Sequence, residues 1–314
     1  MFGSEVSASA LEPTFPLVAR HRVLGAAFGG LRSGRRGFGS DVIGSRPYRP
    51  GDTIHAIDWG ASARLSTATG SDEFVVRERF AEEAPRVILL LDRRPAMALY
   101  SAPWPWLDKS AAQRAAARLI IESGLRSQGL VGALELAGDG PRWVPPQTRA
   151  GRWLLDSGPL AAVRFDGLED SVSALEHLWV WNRRAVPPGS FVFVCSDFLS
   201  PPPDATWLVA LEQRWDVVPV VIQDPVWEAG FPDISGVTVP FSDPRTGAII
   251  EVRLSRREVQ ERRRANEERR EALVDGLARI GLDPVLVSSE DPQDVLRAFV
   301  AWAELRFFAG GLRS

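Results

Sequence analysis

The sequence predicts an α/β fold built on a mostly parallel sheet with helices on both faces. From residue 86 onward, short apolar runs alternate with longer segments of helical periodicity, which is typical of such a sheet. Most of the apolar runs are nearly continuous, as expected for strands buried on both faces. The length of 314 residues is sufficient for about two domains.

Helices are predicted between five strands. A segment that opens at Asp108 places its alanine, leucine and isoleucine side chains on one stripe, and shorter helical segments follow at residues 171–181 and 205–214. Each helix returns the chain to the next strand of the sheet. The five predicted strands are residues 87–91, 130–136, 191–195, 217–222 and 285–287.

An insertion interrupts this alternation at about residues 224–254, where two strand-like runs around a turn predict a β-hairpin. Ser255 and Glu258 form an S-x-x-E capping box, which predicts the start of a long polar helix. Its Arg and Glu side chains pair at i,i+4 spacing, so a solvated face is favoured over a docking surface. The last helix starts at Asp291 and has a broad apolar face, which we interpret as core.

Residues 1–85 differ from the rest and are predicted to form a glycine-rich, irregular β subdomain, ahead of an α/β domain at residues 86–314. Residues 20–50 carry seven arginines against one acid, a local charge of +6. Pairing with nearby acids, or solvation, is the favoured interpretation of this basic segment. The alternative is a nucleic-acid or phosphate binder, which would lose affinity steeply with salt.

Composition excludes several classes of function. The net charge of −3 gives no general attraction to nucleic acid or anionic membrane, and three scattered histidines offer no zinc site or His-dependent triad. The single cysteine, Cys195, lies in an apolar run and is interpreted as a core thiol. Of 37 basic residues only Lys109 is a lysine, which we interpret as codon usage in a GC-rich genome. With no apolar stretch near the ~18 residues of a membrane span, we expect a cytoplasmic protein.

Acidic residues directly follow two of the predicted strands. Asp92 follows the strand at residues 87–91, and Ser196 with Asp197 follows the strand at 191–195. In an open parallel sheet, ligands gather at the carboxyl ends of the strands. Carboxylates there could offer hard oxygen ligands to magnesium, but strand-end acids are common, so this pattern alone is a weak signal.

The most specific motif is R-P-Y-R-P-G-D-T-I-H-A-I-D-W-G-A-S-A-R, at residues 46–64. It closely resembles the signature of the bacterial family called domain of unknown function 58. The resemblance continues in V-F-V-C-S-D-F-L-S at residues 192–200 and Q-D-P-V-W-E at 223–228, and covers nearly the whole chain. It implies a von Willebrand factor A-like domain behind a small β subdomain. It also implies a chaperone-like adaptor, encoded beside a MoxR-type AAA+ ATPase, that helps to remodel or mature other proteins.

This implied function is non-catalytic. The chain has no G-x-x-x-x-G-K-[ST] loop, so ATP hydrolysis would belong to the partner, and we expect no cofactor. Within the signature, architectural and partner-binding roles stay open: Trp59 can anchor a subdomain too small for a core, while Asp58 and Arg64 can pair. The signature or partner-binding residues are Arg46, Tyr48, Arg49, Gly51, Asp52, Asp58, Trp59 and Arg64.

The resemblance further implies a metal-ion-dependent adhesion site, which begins D-x-S-x-S, and here this chain departs from the family pattern. Asp92 fits the first position, but the two serine positions hold Arg94 and Ala96, which cannot coordinate a cation. Asp197, beside Ser196, fits the further aspartate. We therefore expect no metal and hypothesise that Arg94 pairs with Asp92, Asp197 or both, the alternative being that it points into water. A metal-dependent enzyme built on these acids is the least favoured interpretation.

Overall fold

The computed structural model describes residues 13–19, 36–48, 57–70, 74–80, 84–98, 106–147, 151, 153–154, 164–167, 171–243, 246 and 248–311. The strands are β1 (Arg36–Pro47), β2 (Val75–Phe80), β3 (Arg86–Leu91), β4 (Leu130–Ala137), β5 (Gly140–Gln147), β6 (Phe191–Ser196), β7 (Asp216–Ile222), β8 (Thr238–Ser242), β9 (Ile249–Arg253) and β10 (Val285–Val287). The helices are α1 (Trp59–Thr69), α2 (Lys109–Arg126), α3 (Ser171–Asn182), α4 (Asp204–Glu212), α5 (Arg256–Arg279) and α6 (Pro292–Gly311). None of the helices in these ranges is both long enough and apolar enough to cross a membrane.

Six strands form the central sheet, in the order β10-β7-β6-β3-β4-β5. All neighbours are parallel except β4 and β5, which are antiparallel. The chain winds outward from β3 in one direction and from β6 in the other, which is the doubly wound order. The mixed α/β architecture with a mostly parallel sheet is thus confirmed, and the switch point lies between β3 and β6.

Both faces of this sheet are covered by helices. Successive side chains of a strand point to opposite faces, so Leu89 and Phe193 pack with α2 and α6, whereas Ile88 and Val194 pack with α3, α4 and the end of α5. All four of these side chains are buried. The continuous apolar runs in the sequence are explained by this double burial.

A segment from near the N-terminus completes one of the two faces. The ring of Phe15 lies 4.7 Å from that of Phe299 in α6, and the Phe15 backbone N–H donates a hydrogen bond to Ser123 Oγ at 3.1 Å. Residues 13–19 therefore belong to the core of the sheet, although the sequence analysis grouped them with residues 1–85.

The predicted helices are confirmed, with small changes in their bounds. The Asp108 side chain accepts a hydrogen bond from the Ala111 backbone N–H at 2.9 Å and caps α2. At the start of α5, Ser255 Oγ accepts from the Glu258 N–H at 3.3 Å, and Glu258 Oε2 accepts from the Ser255 N–H at 2.7 Å. Both helix caps could be predicted from the sequence because the two residues of each hydrogen bond lie within one helical turn.

Two antiparallel pairs lie outside the central sheet. β1 pairs with β2, and β8 pairs with β9 in a hairpin. The hairpin packs through Phe241 and Val252 against a small cluster that includes Val259 of α5. This third cluster attaches α5 to the region that follows β7.

Two elements were not predicted. The first is β5, which contains three prolines; it is the edge strand of the sheet, where proline is tolerated because one side of the strand has no partner. The second is α1, which lies where irregular β structure was expected, and that expectation is wrong for residues 59–69. Asp58 Oδ1 accepts from the Ala61 N–H at 3.0 Å to cap α1, and Gly70 ends the helix in the left-handed conformation, with φ of +68°.

We predict that Gly132→Ala lowers the free energy of unfolding by about 1–3 kcal/mol. The added Cβ would lie 2.6 Å from the Val144 carbonyl oxygen and 2.8 Å from the Pro146 nitrogen, which are backbone atoms of β5. Gly276→Ala in α5 is the matched control, because its Cβ would meet only the end of the Arg279 side chain at 3.5 Å. The control should gain about 0.5–1 kcal/mol. Urea denaturation measures both changes, and a Gly132→Ala protein as stable as wild type would contradict the prediction.

Candidate functional site

The carboxyl ends of β3 and β6 meet at the switch point of the sheet, where doubly wound folds bind their ligands. Asp92 follows β3, Ser196 is the last residue of β6, and Asp197 comes next. Ser196 Oγ donates a hydrogen bond to Asp92 Oδ2 at 2.7 Å. All three side chains are buried. The structure thus brings together the acids that the sequence placed at the strand ends.

Arg94 covers these acids. Its Nε and Nη2 donate to Oδ1 and Oδ2 of Asp92 at 3.0 and 2.6 Å, and its Nη2 lies 3.4 Å from both Ser196 Oγ and Asp197 Oδ1. The Arg94 side chain is 19% exposed. The hypothesised ion pair with Asp92 is formed, so the guanidinium does not simply point into water. Ala96 lies in the short turn that follows and supplies no polar side chain.

Lys109 brings a second cation that the sequence analysis did not assign to this site. Its Nζ lies 3.0 Å from Asp197 Oδ2 and 2.7 Å from Glu228 Oε1. The Lys109 side chain is 0% exposed. Burial alone would lower the pKa of Lys109, but the two carboxylates beside it raise that pKa above its ordinary value. The ammonium therefore stays charged at neutral pH.

The segment that carries Glu228 is folded around this lysine. Burial raises the pKa of Glu228, and Lys109 acts against that change. Glu228 Oε2 accepts a hydrogen bond from the Asp224 N–H at 2.9 Å, and Asp224 Oδ2 accepts from the Leu107 N–H at 2.6 Å. The Q-D-P-V-W-E motif thus folds back on the start of α2, a contact that the sequence analysis did not foresee.

Helix α5 is hydrogen-bonded to the same segment. Most of the α5 side chains are exposed, in agreement with the solvated face that was predicted. Three of its polar side chains, however, donate hydrogen bonds to backbone carbonyls of residues 228–231. These bonds join Arg263 Nε to Phe231 at 2.9 Å, Asn266 Nδ2 to Gly230 at 2.5 Å and Arg269 Nη2 to Glu228 at 2.7 Å.

This arrangement does not fit a divalent metal ion. A hard cation needs about six oxygen ligands, and in this site Arg94 and Lys109 already occupy oxygens of Asp92 and Asp197. Two fixed positive charges also repel a further cation. Across the part of the chain that the structure describes, no three His, Cys, Asp or Glu side chains are grouped so that they could hold a metal.

The structure places only part of the signature motif. Arg46 lies in β1, with its backbone opposite Val76 of β2. Asp58 caps α1, and Arg64 is exposed on the same helix. Outside the described residues lie Arg49, Gly51, Asp52 and residues 20–35 of the basic segment.

Three aromatic side chains at the signature motif form an exposed cluster, which we call the aromatic cluster: Tyr48, Trp59 and Phe74. The Phe74 ring lies 5.9 Å from Trp59 and 6.5 Å from Tyr48, edge to face in both pairs. The exposed fractions are 59% for Trp59, 44% for Phe74 and 39% for Tyr48. Trp59, which the sequence allowed as a hydrophobic anchor, thus packs against Phe74 with more than half of its side chain exposed to solvent.

Cys195 lies in β6 and is fully buried, which confirms that it is a core thiol. Burial raises the pKa of the thiol to about 12, although Arg93 acts in the opposite direction. Almost no thiolate is present near neutral pH, so Cys195 is not a nucleophile in the folded protein.

Comparisons with known proteins place the chain in a family. The model of the family described as "Protein of unknown function DUF58" matches residues 44–272. A comparison with curated protein sequences gave no match.

Three solved structures are similar in fold. An aerotolerance-related membrane protein from Bacteroides fragilis is 17% identical, with a TM-score of 0.41, and the match covers 71% of this chain and 100% of that one. The conserved hypothetical protein BatB from Bacteroides thetaiotaomicron is 18% identical, with a TM-score of 0.37, over 70% of this chain and 100% of that one. Proximal thread matrix protein 1 from the mussel byssus, with a zinc-occupied MIDAS motif, is 10% identical, with a TM-score of 0.40, over 70% of this chain and 48% of that one. At this distance, the three structures say nothing about what this chain binds.

We predict that calorimetric titration with Mg²⁺ or Mn²⁺ gives no stoichiometric binding. The reason is that Arg94 donates to both carboxylate oxygens of Asp92 and Lys109 donates to one of Asp197. One-to-one binding that Asp92→Ala abolishes would contradict this prediction.

We predict that iodoacetamide at pH 8 does not alkylate Cys195 in the native protein, because a pKa of about 12 leaves almost no thiolate. In 8 M urea the thiol should titrate near its ordinary pKa of about 8.5 and react within minutes. Mass spectrometry after timed quenching measures the labelled fraction, and equal labelling rates in both conditions would contradict the prediction.

Proposed function

This chain belongs to the DUF58 family, and we propose that it is a non-catalytic protein-interaction module that partners a MoxR-type AAA+ ATPase during the assembly or maturation of other proteins. In this proposal a von Willebrand factor A-like domain at residues 86–314 is the scaffold, and residues 1–85 carry the docking motif. The module works in the cytoplasm, and the ATPase supplies the ATP chemistry.

The closed switch-point site supports a non-catalytic role. An enzyme of doubly wound fold needs reactive groups that open into the crevice beyond its strands. Here Asp92 and Asp197 are buried in ion pairs, and the nearby Cys195 thiol is neutral. The charged side chains at this crevice are thus held by one another, which supports a role other than catalysis.

The observation that carries the proposal is the aromatic cluster. Tyrosine and tryptophan dominate the binding energy of protein interfaces, because each ring buries a large area at a low entropic cost. Tyr48, Trp59 and Phe74 offer three such rings to solvent at the most specific motif of the sequence. An interface is the use that fits an exposed aromatic group of this size.

The backbone beneath the cluster is held in place. Asp58 caps α1, so Trp59 is the first residue of a helix. Buried Ser62 joins this helix to β2, since its Oγ donates to the Asp58 carbonyl at 2.7 Å and accepts from the Val75 N–H at 2.8 Å. A partner would meet rings whose supporting elements are already ordered, which lowers the entropic cost of binding.

We predict that the tagged protein, isolated from its native cells with nucleotide present, recovers an AAA+ ATPase and that Trp59→Ala lowers this recovery at least about tenfold. Mass spectrometry of the eluate measures the recovery. Trp181→Ala is the matched control, because Trp181 is also a tryptophan at a helix end, is 74% exposed and lies far along the chain in α3. The control should recover as much ATPase as wild type.

Two results would overturn the proposal. One is an eluate from wild type that contains no AAA+ ATPase. The other is equal loss of the ATPase from Trp59→Ala and Trp181→Ala proteins with unchanged thermal stability. Salt-sensitive recovery of nucleic acid in place of an ATPase would favour the basic segment at residues 20–50 as the binding site.

A further inference from the structure

Lys109 is the only lysine among the 37 basic residues of the chain. It is also the first residue of α2, where the partial positive charge of the helix N-terminus disfavours a cation. Local structure therefore gives no reason for a basic residue at this position. A general preference for arginine does not explain why one lysine remains at this buried position.

The contacts of Lys109 are those of a cation held between acidic groups. Its Nζ contacts Asp197, which follows β6, at 3.0 Å and Glu228, which follows β7, at 2.7 Å. Asp197 Oδ1, on the other side of the carboxylate, lies 3.4 Å from Arg94. The five charges alternate in sign from Asp92 through Arg94, Asp197 and Lys109 to Glu228, so that each acid faces at least one cation.

The size of the ammonium group matters in this place. An ammonium is a compact charge with three donors, whereas a guanidinium is a planar fork that needs more room. The far side of Asp197 is occupied by Arg94, and the Asp197 carbonyl accepts from Gln223 Nε2 at 2.7 Å. The Lys109 side chain is fully enclosed, with Nζ 2.7 Å from Glu228 and 3.0 Å from Asp197, so the larger guanidinium would have to push these two carboxylates apart, although its charge is the same.

We propose that the Lys109 ammonium is a built-in cation that takes the place of a divalent metal ion at the switch point, and that this position selects lysine over arginine. The ammonium joins the loop after β6 to the segment at residues 223–231. It makes the site independent of dissolved metal. The proposal concerns the folded chain alone and does not rest on any partner.

A substitution series separates charge from shape. Lys109→Met keeps the length of the side chain but leaves Asp197 and Glu228 facing each other, and it should lower the midpoint of thermal unfolding by about 10 °C. Lys109→Arg keeps the charge and should also lower the midpoint, by several degrees. Arg257→Lys on α5, where the side chain is 88% exposed, is the matched exchange and should leave the midpoint unchanged.

Charge neutralisation tests the pairing itself. Lys109→Met combined with Glu228→Gln removes one charge of each sign, so the double variant should be more stable than Lys109→Met alone. If Lys109→Met folds poorly, the double variant should give more folded protein, and this difference in yield tests the pairing in the same way.

An added amine tests the position of the cation. Lys109→Ala removes three carbons and the ammonium, and so leaves a cavity with the shape of n-propylammonium. Added n-propylammonium chloride should therefore raise the thermal unfolding midpoint of this variant as its concentration increases. Tetramethylammonium chloride at equal ionic strength should not raise the midpoint, because this cation has no N–H donor. Wild type should respond equally to both salts, and neither Mg²⁺ nor EDTA should shift its midpoint.

Three results would overturn the proposal. A Lys109→Met protein as stable as wild type would show that the charge is dispensable. A Lys109→Arg protein as stable as wild type would show that the position does not select lysine. Equal effects of n-propylammonium and tetramethylammonium on Lys109→Ala would show that no amine occupies the cavity.

Discussion

At the carboxyl ends of β3 and β6 and in the segment that follows β7, three carboxylates and the Lys109 ammonium are buried away from water, and the Arg94 guanidinium, which is 19% exposed, covers them. Removing a charge from water costs several kcal/mol per ion unless a close opposite charge and hydrogen bonds replace the lost solvation. For Asp92, Asp197 and Glu228 the close opposite charge comes from Arg94 and Lys109, and hydroxyl and backbone N–H donors add hydrogen bonds. The elements that carry these five residues are therefore constrained relative to one another, and much of the surrounding structure follows from that constraint.

The region after β7 shows how far this constraint extends. Glu228 can reach Lys109 only because its segment turns back toward α2, and Asp224 holds that turn through the Leu107 N–H. The carbonyls left at residues 228–231 are satisfied by α5, whose Arg263, Asn266 and Arg269 donate to them. A helix that is charged over most of its surface is thus attached to the domain by hydrogen bonds as well as by the Val259 cluster.

The same constraint bears on function. In a doubly wound fold the switch point is the place for ligands, and here it is filled by the chain's own side chains. In the function that we propose, recognition takes place at the surface, where the aromatic cluster lies on a short helix and a two-stranded pair outside the central sheet. The ion pairs are buried at the switch point, whereas the aromatic rings are exposed and, in the proposed function, contact the partner.

Periodicity and capping, read from the sequence, determined the α/β class, most strands of the sheet and the start of α5, because these signals act within a few residues. The sequence also placed Asp92 and Asp197 at strand ends, and its departure from D-x-S-x-S led to the hypothesis of an Arg94 ion pair, beside the alternative that Arg94 points into water. It did not reveal β5, whose prolines are tolerated only at an edge, nor the exposure of Trp59. The composition showed that Lys109 is the only lysine, but it could not show what this residue contacts. Only the tertiary structure decided its role, since Lys109 and Glu228 are 119 residues apart and meet through the order of the strands.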